Sequence, residues 1–257
     1  MEQGMKQEMK SKRREVLTGL GISTATLLLA KEGITMSAPS PRTQGNPGEL
    51  APAYGGKHEL VPLPFDPKKL RGISEKLIVS HHENNYAGAL KNLNKVEVQL
   101  ATVTKDTPAF LVSGLKEREL TFGNSVTLHE LYFANLGGDG KAAGEIAKAL
   151  SEVYGSLARW EEEFRATGAS LAGGSGWVIL DMELASRTLR THWSGNHTQS
   201  KAGTLPLLVM DMYEHAYQMD YGASAAKYID AFFENIRWEE VEKRYGRCLR
   251  AAGELAK

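Results

Sequence analysis

The sequence predicts an α+β fold: an N-terminal long helical hairpin followed by an α/β domain with a small three-stranded antiparallel sheet. Three observations predict it. Apolar residues recur at helical spacing through two long runs, about 74–102 and 117–135. Between Trp177 and Trp193 the period changes to two, and 177–182 and 187–193 read as strands joined by a turn. A short apolar run, TLPLLVM at 204–210, follows Gly203 and reads as a buried third strand. Runs of helix followed by a short run of strands give segregated layers around one core.

Composition narrows the function classes. The chain has 257 residues, 42% of them hydrophobic and 24% charged, an ordinary globular composition. Lys plus Arg and Asp plus Glu each total 31, so the net charge is zero. That balance argues against a nucleic acid or an anionic membrane as the main partner. Cys248 is the single cysteine, which excludes an internal disulfide and a cysteine-based metal site.

The elements follow in order. Residues 11–30, SKRREVLTGLGISTATLLLA, place the pair Arg13-Arg14 before a short apolar stretch. This is the layout of a twin-arginine-type signal segment, assigned to 1–37 with cleavage near Ser37-Ala38. The stretch is too short and too rich in Gly, Ser and Thr for a stable span, so no membrane association is expected after export to the periplasm or the exterior. Residues 38–59, rich in Pro and Gly, form a linker. A proline-bearing lead-in, LVPLPFDPKKLRG, opens the helical hairpin domain, 60–139, whose second helix stops at LGGDG. The C-terminal α+β domain, 140–257, starts with helices at about 141–153 and 157–168, continues through the three strands, and closes with helices at about 213–222, 223–235 and 238–252.

Seven histidines are candidates for chemistry: His58, His81, His82, His129, His192, His197 and His215. His81 and His82 are adjacent, so on a helix they point about 100° apart and cannot easily serve one site. Leu77, His81, Asn85 and Ala89 share one helix face, while His82 falls with Tyr86. His129 lies on the stripe of Val126, Tyr132, Phe133 and Leu136 and looks inward. Asp211 ends the buried third strand, where an unpaired carboxylate is costly, and His215 follows four residues later. A hydrogen-bonded core histidine or an Asp–His bond satisfies each element singly. A metal ion satisfies all of them at once, and a set of N and O ligands suits Fe, Mn or Zn.

The order of these pieces resembles the iron/manganese superoxide dismutase family from about Leu60 to Tyr245. The resemblance rests on LPFDPKKLRGISEKLIVSHH, NLN at 92–94, LHELYFANL at 128–136, GSGW at 174–177, DMYEHAY at 211–217 and NIRWEEVEKRY at 235–245. It implies metal ligands His81, His129, Asp211 and His215, one Fe or Mn ion per subunit with solvent as fifth ligand, and dismutation of superoxide to O2 and H2O2 as the metal cycles between +3 and +2. It implies that Trp177 walls the pocket, that His197 hydrogen-bonds the metal's solvent, and that Glu214 and His215 link two subunits in a homodimer. Another metal-dependent oxidase or hydrolase on the same scaffold, or a non-catalytic metal-binding protein, is the alternative.

The chain also departs from the family. Counting without gaps from His81, the family's gateway histidine and tyrosine slots hold Asn85 and Ala89. The slot of the cross-dimer tyrosine holds Gln218, and two aromatic slots beside the ligands hold Tyr213 and Phe133. The expectation is that Asn85 pairs with the partner's Gln218 and that Tyr213 serves as an acidic hydroxyl.

Overall fold

The structure, a computed structural model, describes residues 50–255. The expected signal segment and the linker up to residue 49 lie outside the described residues. Gly48–Lys257 form one compact unit.

The first long helix begins where Ser74 caps α1 (Glu75–Ser80), its hydroxyl accepting the Leu77 N–H at 3.1 Å. A π-helical turn, His81–Tyr86, follows, and α2 (Ala87–Leu100) continues the same rod. The π turn was not foreseen. Such turns insert one residue into an α-helix, so a count in fours and eights from His81 slips by one position. The slip lets both adjacent histidines be buried for different reasons. His81 faces the interior of the molecule, while His82 Nε2 donates to the Val61 carbonyl at 2.8 Å under the lead-in strand.

The second hairpin helix, α3 (Ala109–Ala134), starts eight residues earlier than the period predicts. Pro108 precedes its first residue, and the first turns leave Phe110 74% and Leu111 49% exposed. Apolar side chains on the solvent face hide the helical period there. The inward stripe is as expected: Val126, His129, Tyr132, Phe133 and Leu136 are all buried.

Two helices, α4 (Gly144–Tyr154) and α5 (Leu157–Ala169), lead to the sheet. Its strands are β1 (Trp177–Glu183), β2 (Leu189–Ser194) and β3 (Thr204–Asp211), antiparallel in the order β2-β1-β3. Gly176 enters β1 with φ +143°, where a Cβ would strike the Ser194 carbonyl. In the register Trp177 lies opposite both Ser194 and Asp211. One strand pairing therefore puts the Trp177 ring beside the Asp211 carboxylate.

The helix expected at 213–222 is broken. A 3-10 turn, Glu214–Ala216, comes first, then the short α6 (Gln218–Tyr221), ended by Gly222. The Asp211 carboxylate accepts the Tyr213 N–H at 2.8 Å, and this local turn holds 211–213 out of helical form. The chain closes with α7 (Ala225–Glu234) and α8 (Trp238–Leu255). Buried Arg244 on α8 ties three elements: its Nη1 donates to the Leu207 carbonyl of β3 at 3.0 Å and to Asn135 Oδ1 at the end of α3. Both halves of the chain contribute to one continuous core, from Leu77 and Tyr132 to Leu180, Leu208 and Phe232.

Candidate metal centre

Four elements bring His81, His129, Asp211 and His215 together. One ligand atom from each lies within 4.8 Å of every other. Asp211 Oδ2 is central: His81 Nε2 is 3.1 Å away, His215 Nε2 3.2 Å and His129 Nε2 3.7 Å. His81, His129 and Asp211 are buried, and His215 is half-buried.

The side chains are oriented by the backbone around them. His129 Nδ1 lies 2.7 Å from the Ser125 carbonyl, one helical turn back. A carbonyl only accepts, so Nδ1 carries the proton and Nε2 presents a lone pair. That Nε2 is buried with no hydrogen-bond partner. Asp211 divides its oxygens: Oδ1 accepts the Tyr213 N–H, leaving Oδ2 toward the three histidines. Its own carbonyl accepts the Tyr228 hydroxyl at 2.8 Å, which fixes the end of β3. His81 sits 3.1 Å from Asp211 Oδ2 but off the hydrogen-bond axis, so that its Nε2 also lacks a partner. Two buried, unpartnered imidazole nitrogens beside a buried carboxylate oxygen are what a cation satisfies. The donor set of three imidazoles and one carboxylate fits Fe or Mn.

Charge follows the same logic. Burial lowers the pKa of His129 to about 3. Burial is also the main reason His81 titrates below the ordinary histidine range. Burial opposes ionisation of Asp211, yet the charge and hydrogen bond of His215, with His81 beside it, outweigh it and hold the carboxyl well below the usual range. His215 is raised: the Asp211 carboxylate beside it wins over partial burial. His81 and His129 are thus neutral and the carboxylate ionised, the protonation states that metal binding would require.

Trp177 and His197 meet next to the centre. The Trp177 ring lies 5.1 Å from that of His129, edge to face. Its indole Nε1 donates to His197 Nδ1 at 3.0 Å. An indole N–H is a donor only, so His197 is the neutral tautomer with its proton on Nε2. The His197 ring stacks on Tyr213 at 4.8 Å, and Tyr213 stacks on His215 at 5.3 Å. The Tyr213 hydroxyl is half-buried. Burial, then the Asp211 charge, push its pKa up, so it holds its proton. Ala89 is buried and Asn85 half-buried, and Gln218 and Glu214 are exposed.

Sequence reasoning missed several residues that shape the site. Tyr86 is buried beside His129, ring centroids 6.1 Å apart, and its hydroxyl donates to Glu130 at 2.8 Å. The Val61 N–H donates to the same hydroxyl at 3.1 Å. The signal was the i, i+4 pair of His82 and Tyr86, whose rings lie 5.3 Å apart. Asn124, on α3, reaches the loop that carries His197. A polar amide one position before Ser125 was its only signal.

The fold and the centre together define a metalloprotein with a nitrogen- and oxygen-ligated ion between a helical hairpin and a three-stranded sheet. The family described as iron/manganese superoxide dismutases, C-terminal domain, matches residues 142–244. A superoxide dismutase [Fe] of Cupriavidus metallidurans is 46% identical over 194 residues, 75% of this chain and 98% of that protein. A superoxide dismutase [Fe] of Aquifex pyrophilus is 34% identical over 206 residues, 76% of this chain and 95% of that protein. A superoxide dismutase [Mn] 1 of Halobacterium salinarum is 31% identical over 194 residues, 74% of this chain and 95% of that protein. The chain belongs to the iron/manganese superoxide dismutase family.

Proposed function

We propose that the protein dismutes superoxide, 2 O2•− + 2 H+ → O2 + H2O2, with one Fe or Mn ion held by His81, His129, Asp211 and His215. The observation that carries the reading is the buried, unpartnered Nε2 of His129, turned to a lone pair by the Ser125 carbonyl and set 3.7 Å from Asp211 Oδ2. When bound, the metal supplies the one-electron couple between +3 and +2. The four ligands contribute one negative charge, from Asp211, so the site keeps a positive charge that attracts the superoxide anion. His197 offers a proton-bearing Nε2 for hydrogen bonding at the reacting centre. Trp177 is its donor-fixed support, and Tyr213 supplies a stacked wall and a retained hydroxyl proton.

The homodimer belongs to the same proposal. Glu214 is exposed and precedes His215, which is half-buried, so a partner subunit can reach the ligand shell there. Export by the twin-arginine route is supported by Arg13-Arg14 and the short apolar stretch after them. That route carries folded proteins, which suits a chain that acquires its metal before leaving the cytoplasm. No helix among the described residues is long and apolar enough to cross a membrane.

Metal analysis with a superoxide assay on purified protein tests the proposal. Stoichiometric Fe or Mn and rapid superoxide turnover are expected, with both lost in His129→Ala. Tightly bound zinc without turnover would overturn it.

A further inference from the structure

The geometry points to Asn124 as the positioning residue that sets His197 in place. This inference rests on the reading above, in which His197 lends its Nε2–H to the reaction. Asn124 Nδ2 donates to the His197 carbonyl at 2.6 Å and to Ser200 Oγ at 3.1 Å. Both acceptors lie on the loop between β2 and β3. Three side-chain hydrogen bonds of that loop stay inside it: Gln199 Oε1 accepts the Gly195 N–H at 2.7 Å, and Asn196 Oδ1 accepts the Thr198 N–H and hydroxyl at 2.8 Å each. They shape the loop but do not locate it. A loop of small polar residues is located only by what crosses to rigid elements. Among the described residues, the side chains that make that crossing include Asn124, Trp177 at the His197 ring, Ser175, whose hydroxyl donates to the Gly195 carbonyl at 3.0 Å, and Glu183, whose carboxylate pairs with Lys201 at 3.6 Å.

Asn124 differs from the others because it lies on the helix of His129, a proposed metal ligand. Asn124 and Ser125 are successive residues of α3, and each serves one histidine. The Ser125 carbonyl orients His129, and the Asn124 amide holds the His197 backbone. One turn of helix thus bears on both histidines, whose rings lie 6.3 Å apart. The chemistry requires an amide. Its nitrogen has two hydrogens, one for each acceptor, and the His197 carbonyl, which only accepts, cannot be served by a carboxylate. With the backbone gripped by Asn124 and Nδ1 engaged by Trp177, the ring keeps a single tautomer and a single orientation.

The test compares Asn124→Asp, which keeps the shape and removes both donors, Asn124→Ala, His197→Ala and the Asn124→Ala/His197→Ala double variant. Each is loaded with the native metal and measured for metal content, thermal midpoint and superoxide turnover. Nitrogen NMR of the His197 ring is recorded on zinc-loaded wild type and Asn124→Asp. The expected result is full metal content, a loss of turnover of about tenfold in each Asn124 variant, and no further loss when Asn124→Ala is added to His197→Ala. The ring signal is expected to pass from one Nε2–H tautomer to an average of two states. Unchanged turnover and ring signals, or losses that add in the double variant, would overturn the inference. Should Asn124→Ala fail to fold, the isosteric Asn124→Asp decides through turnover and the ring signal. Should metal-loaded wild type show no turnover, the superoxide reading fails by itself, and the ring signal alone decides whether Asn124 positions His197.

Discussion

The Tyr86 hydroxyl donates to Glu130 Oε1 at 2.8 Å, joining the π turn of the first hairpin helix to the residue that follows His129 on the second. The same hydroxyl accepts the Val61 N–H, and His82 holds the Val61 carbonyl. Tyr86, His82 and Glu130 therefore clamp the extended lead-in at Val61 against the helices that carry His81 and His129. Burial pushes the Tyr86 hydroxyl up to about 12, so it remains a neutral donor at physiological pH. Tyr86→Phe strands the Val61 N–H and removes a bond from Glu130. A loss of about 1–3 kcal/mol in unfolding free energy is expected, with metal content retained. Denaturant unfolding with metal analysis checks it; a variant as stable as wild type would remove the clamp.

Trp177 controls which nitrogen of His197 holds the proton. Trp177→Phe keeps an aromatic wall beside His129 and deletes the indole donor. Turnover is expected to fall about tenfold or more with unchanged metal content, and the pH profile to lose sharpness as both His197 tautomers become populated. Steady-state superoxide kinetics across pH are the measurement. Identical profiles for the two proteins would mean that the indole only fills space.

The metal-free protein is expected to lose stability on acidification. An unfolded histidine takes up a proton near pH 6.5, whereas native His129 does so only near 3, and His81 is lowered as well. Between those values the unfolded state binds more protons, so stability rises with pH and falls as acid is added. His215, raised by Asp211, works in the opposite direction. The lowered Asp211 carboxyl keeps its contribution throughout this window, because that is lost only under stronger acid. His129 by itself contributes roughly 2 kcal/mol to the change from pH 7 to 5. Thermal unfolding of metal-free protein at pH 7, 6 and 5 checks the sign; a midpoint that climbs on acidification would contradict it.

Arg244 joins α8 to the end of α3 and to the strand that delivers Asp211. Its guanidinium is buried, and burial lowers its pKa to about 10, still charged at neutral pH. Arg244→Ala leaves the Leu207 carbonyl and Asn135 Oδ1 without their donor and opens a cavity. A destabilisation of about 3–5 kcal/mol is expected, measured by denaturant unfolding. A cost under about 1 kcal/mol would show that other donors or water replace it.

Much of this was legible in the chain. The two hairpin helices, the three strands and the order of elements follow from periods of 3.6 and 2. The four residues that cluster were named through the family resemblance, and local patterns pointed the same way for three of them: His129 on an apolar stripe, Asp211 at the end of a buried strand, His215 four residues on. The start of α3 was hidden because Phe110 and Leu111 face solvent. The break after Asp211 was hidden because a side chain's hydrogen bond to the Tyr213 N–H competes with helix formation.

By itself the sequence determined the fold class and the identity of the inward-facing His and Asp residues, because burial of apolar surface imposes a period that residue order records directly. Only the tertiary structure decided how those residues are oriented and what stands behind them. The π turn at His81–Tyr86, the tautomer of His197 and the reach of Asn124 to a loop 73 residues away depend on directional hydrogen bonds between distant segments. Such bonds have no period along the chain. They exist only after packing has brought donor and acceptor within about 3 Å.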